Sequence, residues 1–257
     1  MIDTHTHLYD EAFKDDFEDA LDRAASAGVE HMIFPGIDSS VHWRMMECAS
    51  AAPDMISTAT GLHPTSVGDN WKQELDFVEK RLAEGGWTAI GEIGIDRHWS
   101  DTYIREQTEV FRQQMIWASE ASLPVIIHVR DALDTVFEVL DSLAGAGISM
   151  RGVFHAFSGS IETFRRIKTY GDFKTGIGGV VTYRNAGIAR TVQDIPMSDI
   201  LLETDSPWLT PVPYRGRRNE PAYLGYIAGQ IAGLKGISSA EVESATTANA
   251  KELFNLK

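Results

Sequence analysis

TAIGEIGIDRHWSDTYIREQTEVFRQQMIWASEASLPVIIHV, residues 88–129, holds two short β-rich apolar runs with a longer segment of a different period between them. In that middle segment Ile104, Thr108, Phe111, Met115 and Ala118 recur at three- and four-residue steps, with charges between them. This is the spacing of one helical face. The flanking runs, 88–96 and 124–129, are too short for helices and rich in β-branched residues, so they read as strands. The stretch is therefore strand, helix, strand.

The same alternation extends in both directions. Apolar runs fall at 1–7, 31–37, 55–63, 88–96, 124–129, 152–157, 173–181 and 200–205. Between them lie longer segments with helical spacing, and the last segment opens with Ser238 and Glu241 placed as a capping box. No composition shift or Pro/Gly-rich linker divides the chain. Eight strand–helix alternations predict a single α/β domain over residues 1–257, a parallel (β/α)8 TIM-type barrel rather than a doubly wound open sheet. The length of 257 residues suits that fold, which takes about 250.

Composition sets bounds. The chain is 43 % hydrophobic and 23 % charged, an ordinary globular balance. Its one cysteine, Cys48, excludes an intramolecular disulfide and reads as an inert, half-buried thiol on a helix. No basic segment followed by an apolar run opens the sequence, and no apolar stretch approaches the roughly 20 residues of a membrane span. A cytoplasmic location is expected. Nothing reads as a coiled coil or an exposed apolar stripe, so a monomer is expected. The formal charge of −14 argues against a long electrostatic grip on duplex nucleic acid. It leaves room for a small footprint in which bound divalent ions reverse the local field.

Ionisable groups in strands need a reason, because burying one without a partner is costly. Here they gather at the carboxyl ends of the runs: His5 and His7, His63, Glu92, His128, His155 and Asp205. In a barrel those ends share one face, the face that carries active sites in this fold. Residues i and i+2 of a strand point the same way, so His5 and His7 are expected to project together. His5, His7, Glu92, His128, His155 and Asp205 form a ligand set suited to Zn²⁺ or Mn²⁺. Six candidates exceed the needs of one ion, so two divalent ions bridged by Glu92 are expected. Mg²⁺ prefers oxygen ligands and fits this shell less well. His31, His42 and His98 fall away from these ends and read as structural.

The quoted residues resemble the TatD-type metal-dependent deoxyribonucleases, within the amidohydrolase-like barrel group. The resemblance rests on DTHTHL (3–8), GLHP (61–64), GEIGID (91–96), PVIIHVRDA (124–132), HAFSG (155–159), ETDSPWLTP (203–211), RGRRNEP (215–221) and ATTANAKELF (245–254). It implies a phosphodiesterase that removes nucleotides from a single-stranded or frayed 3′ end of DNA, with the six residues above as metal ligands. It also implies that His63 contacts the scissile phosphate. Ala156 stands where many relatives carry cysteine, and IDRHWSD (95–101) departs from a Tyr-rich pattern.

Phosphodiester hydrolysis needs an activated water, neutralised phosphate charge and help for the leaving oxygen, and two ions can supply all three. Asp205 is placed to orient the water and take its proton. One ion is assigned to His5, His7 and Asp205 with Glu92 shared, the other to Glu92, His128 and His155. Glu203, two residues before Asp205, is read on the same side of its strand, orienting a ligand or a buried arginine, or forming a core ion pair. Arg130 pairs with His128 or with substrate. Arg215, Arg217 and Arg218 form either a phosphate-binding loop or a solvated turn. Trp208 stacks on a base or packs against the protein. Asn219 is expected to cap the next helix, with Glu220 holding one of the arginines. The competing activities are hydrolysis of a small lactone, amide or deaminase substrate, and removal of an acyl group from aminoacyl-tRNA. A non-enzymatic metal-binding module is a weaker alternative.

Overall fold

The computed structural model describes all 257 residues. Eight strands run β1 (Ile2–Asp3), β2 (His31–Phe34), β3 (Ile56–Thr60), β4 (Ala89–Asp96), β5 (Val125–Arg130), β6 (Arg151–Phe154), β7 (Asp172–Ile177) and β8 (Ile200–Leu202). They pair in sequence order, all parallel. Backbone bonds from Thr4 N to Leu202 O, Asp205 N to His5 O and His7 N to Ser206 O tie the chain beyond β8 to the chain beyond β1. The result is the expected (β/α)8 barrel. Its helices are α1 (Phe17–Ser26), α2 (Ser39–Ala51), α3 (Trp71–Glu84), α4 (Ile104–Ala121), α5 (Leu133–Gly145), α6 (Ile161–Lys168), α7 (Ile188–Asp194), α8 (Leu224–Lys235) and α9 (Ser239–Phe254).

The end of the barrel away from the histidines is filled by hydrocarbon. Ile2, Ile33, Ala59, Ala89, Ile126, Val153 and Leu201, from seven different strands, pack with Leu253 and Phe254 of α9. α9 begins with the expected capping box, Ser238 Oγ accepting from Glu241 N while the Glu241 carboxylate accepts from Ser238. The larger core lies between strands and helices. In α4 the buried stripe is Gln107, Val110, Phe111, Gln114, Met115 and Ala118. The two glutamines are a departure from an apolar face. Gln107 Oε1 accepts from Asp96 N at 2.9 Å, and the Gln114 side-chain amide pairs with both backbone groups of Leu62 at 2.7 and 3.2 Å. They satisfy backbone at the strand ends, where a parallel ladder stops and buried polar groups need other partners. Cys48 lies half-buried on α2, as expected.

Several runs are shorter as strands than the sequence implies. β1 stops at Asp3, so His5 and His7 lie beyond the ladder, and β8 stops at Leu202, so Glu203 and Asp205 do too. Asp205 is left-handed, with φ 56°. The two carboxylates therefore converge through a turn and not through strand alternation. In β4 the register against β5 shifts between Ile90 and Ile93, which places Glu92 at an irregularity. Such irregularities re-aim side chains next to functional sites.

Candidate metal centre

The six predicted ligands meet. Glu92 is buried at the middle and uses its two oxygens in different directions. Oε2 lies 3.2 Å from His5 Nε2 and 3.7 Å from His7 Nε2. Oε1 lies 2.9 Å from His128 Nδ1, 3.4 Å from His63 Nε2 and 3.5 Å from His155 Nε2. Asp205 Oδ1 is 3.7 Å from both His5 and His7 and 4.0 Å from His155. The ligand-type atoms fall into close sets: His5, His7 and Glu92; His5, His155 and Asp205; His63, Glu92 and His128.

The chain segments carrying these groups are cross-braced. Asp3 accepts from Thr204 N at 2.9 Å, Thr204 Oγ1 at 2.6 Å and His5 N at 3.3 Å. The hydroxyls of Thr6 and Ser206 meet at 2.6 Å. The histidine pair and Asp205 are thus held to one another by side chains that point away from the cluster.

Hydrogen bonds around the rings decide which nitrogen carries a proton. Tyr9 donates its only proton to Pro35 O, so its oxygen must accept from His7 Nδ1 at 2.9 Å. A neutral His7 then presents the Nε2 lone pair to the cluster. Burial and the adjacent His5 hold His7 well below the usual imidazole range, which keeps it neutral. His63 is the opposite case. Its Nδ1 accepts from Thr65 N at 3.1 Å, so Nε2 carries the proton and faces the cluster as a donor. His128 lies between Glu92 and Asp96, whose Oδ2 is 2.8 Å from Nε2. Burial would lower its pKa, but the hydrogen bonds to Asp96 and Glu92 raise it to about 9. Asp96 keeps the Nε2 proton, which leaves Nδ1 as the nitrogen facing Glu92. His155 stacks on His5 at 3.6 Å between ring centres and has Nδ1 3.2 Å from Glu203 Oε1.

The two carboxylates after β8 differ in access. Glu203 is fully buried; it accepts from Ala156 N at 2.6 Å, and burial pushes its pKa up to about 7. Asp205 is more open, its side chain 14 % accessible, and burial pushes it up to about 6 against the opposing pull of His155 and His5. Of the readings left open for Glu203, the contacts favour positioning of His155.

Other expectations meet different partners. Arg130 lies 5.4 Å over the Trp99 ring and makes no ion pair; Asp96 takes the place beside His128. Arg218 is gripped by both oxygens of Asp16 at 2.6 and 2.7 Å and donates to Ala12 O, so its guanidinium is committed to structure. Glu220 forms its bidentate pair with Arg23 of α1, and Arg218 is 3.9 Å away. Asn219 does not cap a helix: its amide donates to Thr204 O and Trp208 O, clamping the loop under Asp205. Arg215 and Arg217 pair with no carboxylate and rest over Tyr183 and Tyr214, at 4.5 and 5.9 Å. Trp208 is 51 % exposed and meets His7 edge-on at 5.1 Å. Of the remaining histidines, His31 bonds Ser57, His42 packs among aromatic rings and His98 bonds Asp131.

Comparison with known proteins agrees with this architecture. The family model described as TatD related DNase matches residues 2–255. The chain is 39 % identical over 257 residues to an uncharacterized metal-dependent hydrolase, YabD, of Bacillus subtilis, covering 100 % of this chain and 99 % of that one. It is 33 % identical over 265 residues to the 3′-5′ ssDNA/RNA exonuclease TatD of Erwinia tasmaniensis, covering both chains fully at 100 %. The crystal structure of the TatD homolog YjjV from Escherichia coli superposes with a TM-score of 0.88 at 29 % identity, covering 100 % of this chain and 98 % of that one. No helix is long and apolar enough to cross a membrane. With its barrel, its histidine–carboxylate cluster and these matches along the whole length, the chain belongs to the TatD-related DNase family of metal-dependent hydrolases.

Proposed function

We propose that the protein hydrolyses phosphodiester bonds of single-stranded DNA from the 3′ end, using two divalent metal ions. The observation that carries this reading is Glu92, whose two oxygens address two groups of imidazoles. The donor set fits such ions. His7 offers a lone pair fixed by Tyr9, and the Nε2 atoms of His5 and His155 face the Glu92 carboxylate. Mixed imidazole and carboxylate donors suit Zn²⁺ or Mn²⁺. His5, His7 and Asp205 would hold one ion, His128 and His155 the other, with Glu92 shared. Bound there, the ions supply Lewis-acid polarisation of the phosphate and acidification of water.

The chain's own groups supply the rest. Asp205, the more open carboxylate, orients the attacking water and accepts its proton at Oδ1. His63, with its proton on Nε2, donates to a phosphate oxygen; a donor in that place suits substrate better than a metal. Trp208 gives a face for a base, and stacking on an aromatic ring is worth about 1–3 kcal/mol per base. Arg215 and Arg217 are the free cations of the loop that follows.

Two measurements test the centre. Chelator-stripped protein restored with Mn²⁺ or Zn²⁺ is expected to shorten a 5′-labelled single-stranded oligonucleotide in a ladder from its 3′ end. Cleavage of a lactone or an aminoacyl-tRNA with the oligonucleotide intact would move the assignment to those substrates. Tyr9→Phe is expected to weaken metal binding by about tenfold or more, as loss of a group that orients a ligand histidine commonly does. Titration of the stripped variant with Zn²⁺ reads this directly, and an affinity equal to the parent's would remove Tyr9 from the tautomer argument.

A further inference from the structure

A cavity of about 420 Å³ lies beside the metal centre and not over it. His155 is the ligand residue that lines the cavity, which continues along Phe157 and Ser158 and also borders Arg97, Asp131 and Asp134. Its size is that of a small-ligand site and not of a polymer groove.

The charges on its wall are unlike those across the centre. Asp131 and Asp134 are exposed carboxylates, and the Arg97 guanidinium is engaged by Asp101 at 2.7 Å. Asp134 lies in the first turn of α5 and already complements that helix end. On the His7 side stand Trp208, half exposed, and the loop with Arg215 and Arg217, both without carboxylate partners. A polyanion crossing the centre therefore meets Arg215 and Arg217 with no paired carboxylate in one direction, and in the other the exposed carboxylates of Asp131, bonded to His98, and Asp134, with Arg130 set over Trp99 beside them.

We infer that the cavity beside His155 receives the terminal 3′ nucleoside, and that Asp131 and Asp134 select strand ends by repelling any phosphate beyond it. The inference rests on the nuclease reading above. The terminal base and 3′ hydroxyl are uncharged and tolerate this wall, while the remaining strand runs over Trp208 towards Arg215 and Arg217. In the step so framed, the water oxygen bonds to phosphorus and the bond from phosphorus to the 3′ oxygen of the preceding nucleotide breaks. One water proton passes to Asp205, the departing oxygen takes a proton from solvent, and the terminal nucleotide leaves with its 5′ phosphate.

The test uses Mn²⁺-loaded protein and two 5′-labelled single-stranded oligonucleotides of one sequence, ending in a 3′ hydroxyl or a 3′ phosphate. The parent protein is expected to shorten the hydroxyl form about tenfold faster or more at low salt, with the ratio shrinking as salt is added. In the double variant Asp131→Asn, Asp134→Asn the ratio is expected to fall towards one. Both sites are exposed, and asparagine tolerates the left-handed backbone of Asp131, φ 53°, as well as aspartate does. Equal rates on the two substrates with the parent, or an unchanged ratio in the variant, would overturn the end-selection and leave the nuclease reading in place. Failure to cut either substrate with any metal would remove both.

Discussion

Asp205→Asn is expected to lower the rate of oligonucleotide hydrolysis by about a thousandfold, the range typical of losing a positioned proton acceptor. The choice of asparagine matters. Asp205 has φ 56°, a conformation that Asp and Asn adopt several-fold more readily than other non-glycine residues. Alanine there would add backbone strain and blur the result. Asparagine also keeps an oxygen near His5 and His7, where Asp205 Oδ1 now lies at 3.7 Å. The backbone bond from Asp205 N to His5 O is untouched. Folding and most of the metal affinity should therefore survive, and the lost property is the ability to take a proton. Single-turnover rates at saturating Mn²⁺, beside thermal melting of the same samples, separate the two. A variant that folds, binds metal and cleaves at the parental rate would remove Asp205 from proton transfer and pass the role to another group near the water.

Much of this arrangement is legible in the sequence because strand order and strand ends are encoded locally. Each apolar run became a strand, and α4 and the Ser238–Glu241 cap formed where periodicity placed them. Gathering of His5, His7, Glu92, His128, His155 and Asp205 then follows from barrel topology alone. The strand rule of two-residue alternation singles out the histidines but not their neighbours. Asp3 lies two residues before His5, Tyr9 two after His7, and Asp96 four after Glu92; each supports the cluster. Those side chains carry no metal-ligand pattern of their own, and nothing in the sequence sets them apart from ordinary strand and loop residues. The arginines differ in kind. The pairs Asp16–Arg218 and Arg23–Glu220 join positions about 200 residues apart, and no local pattern announces a surface partner at that distance. The sequence leaves Arg215, Arg217 and Arg218 as either a phosphate-binding loop or a solvated turn; the fold spends Arg218 on holding the start of α1 to the loop.

Glu92→Gln is expected to abolish most of the stabilisation that metal gives the protein. For a ligand that binds only the folded chain, stabilisation reaches about 4 kcal/mol at a thousand times its dissociation constant. In a chain of this size that raises the melting temperature by about 10 °C. Glu92 is the one carboxylate whose oxygens face opposite ways, Oε2 to His5 and His7, Oε1 to His63, His128 and His155. Glutamine preserves that shape but offers a single oxygen. Its amide nitrogen, turned to either side, directs N–H groups at nitrogens that should be presenting lone pairs, and at His7 Tyr9 prevents the ring from adapting. If Glu92 bridges two ions as proposed, one half of the centre must then fail, and the shared oxygen bridge with it. Metal content after gel filtration should drop from two ions to one or none, and the Mn²⁺-dependent rise in melting temperature should shrink to a few degrees. Asp205→Asn, which keeps its oxygen, should retain more of that rise than Glu92→Gln. If both variants kept two ions and the full thermal shift, the bridge would lie elsewhere, and the division of ligands between two ions about Glu92 would have to be redrawn.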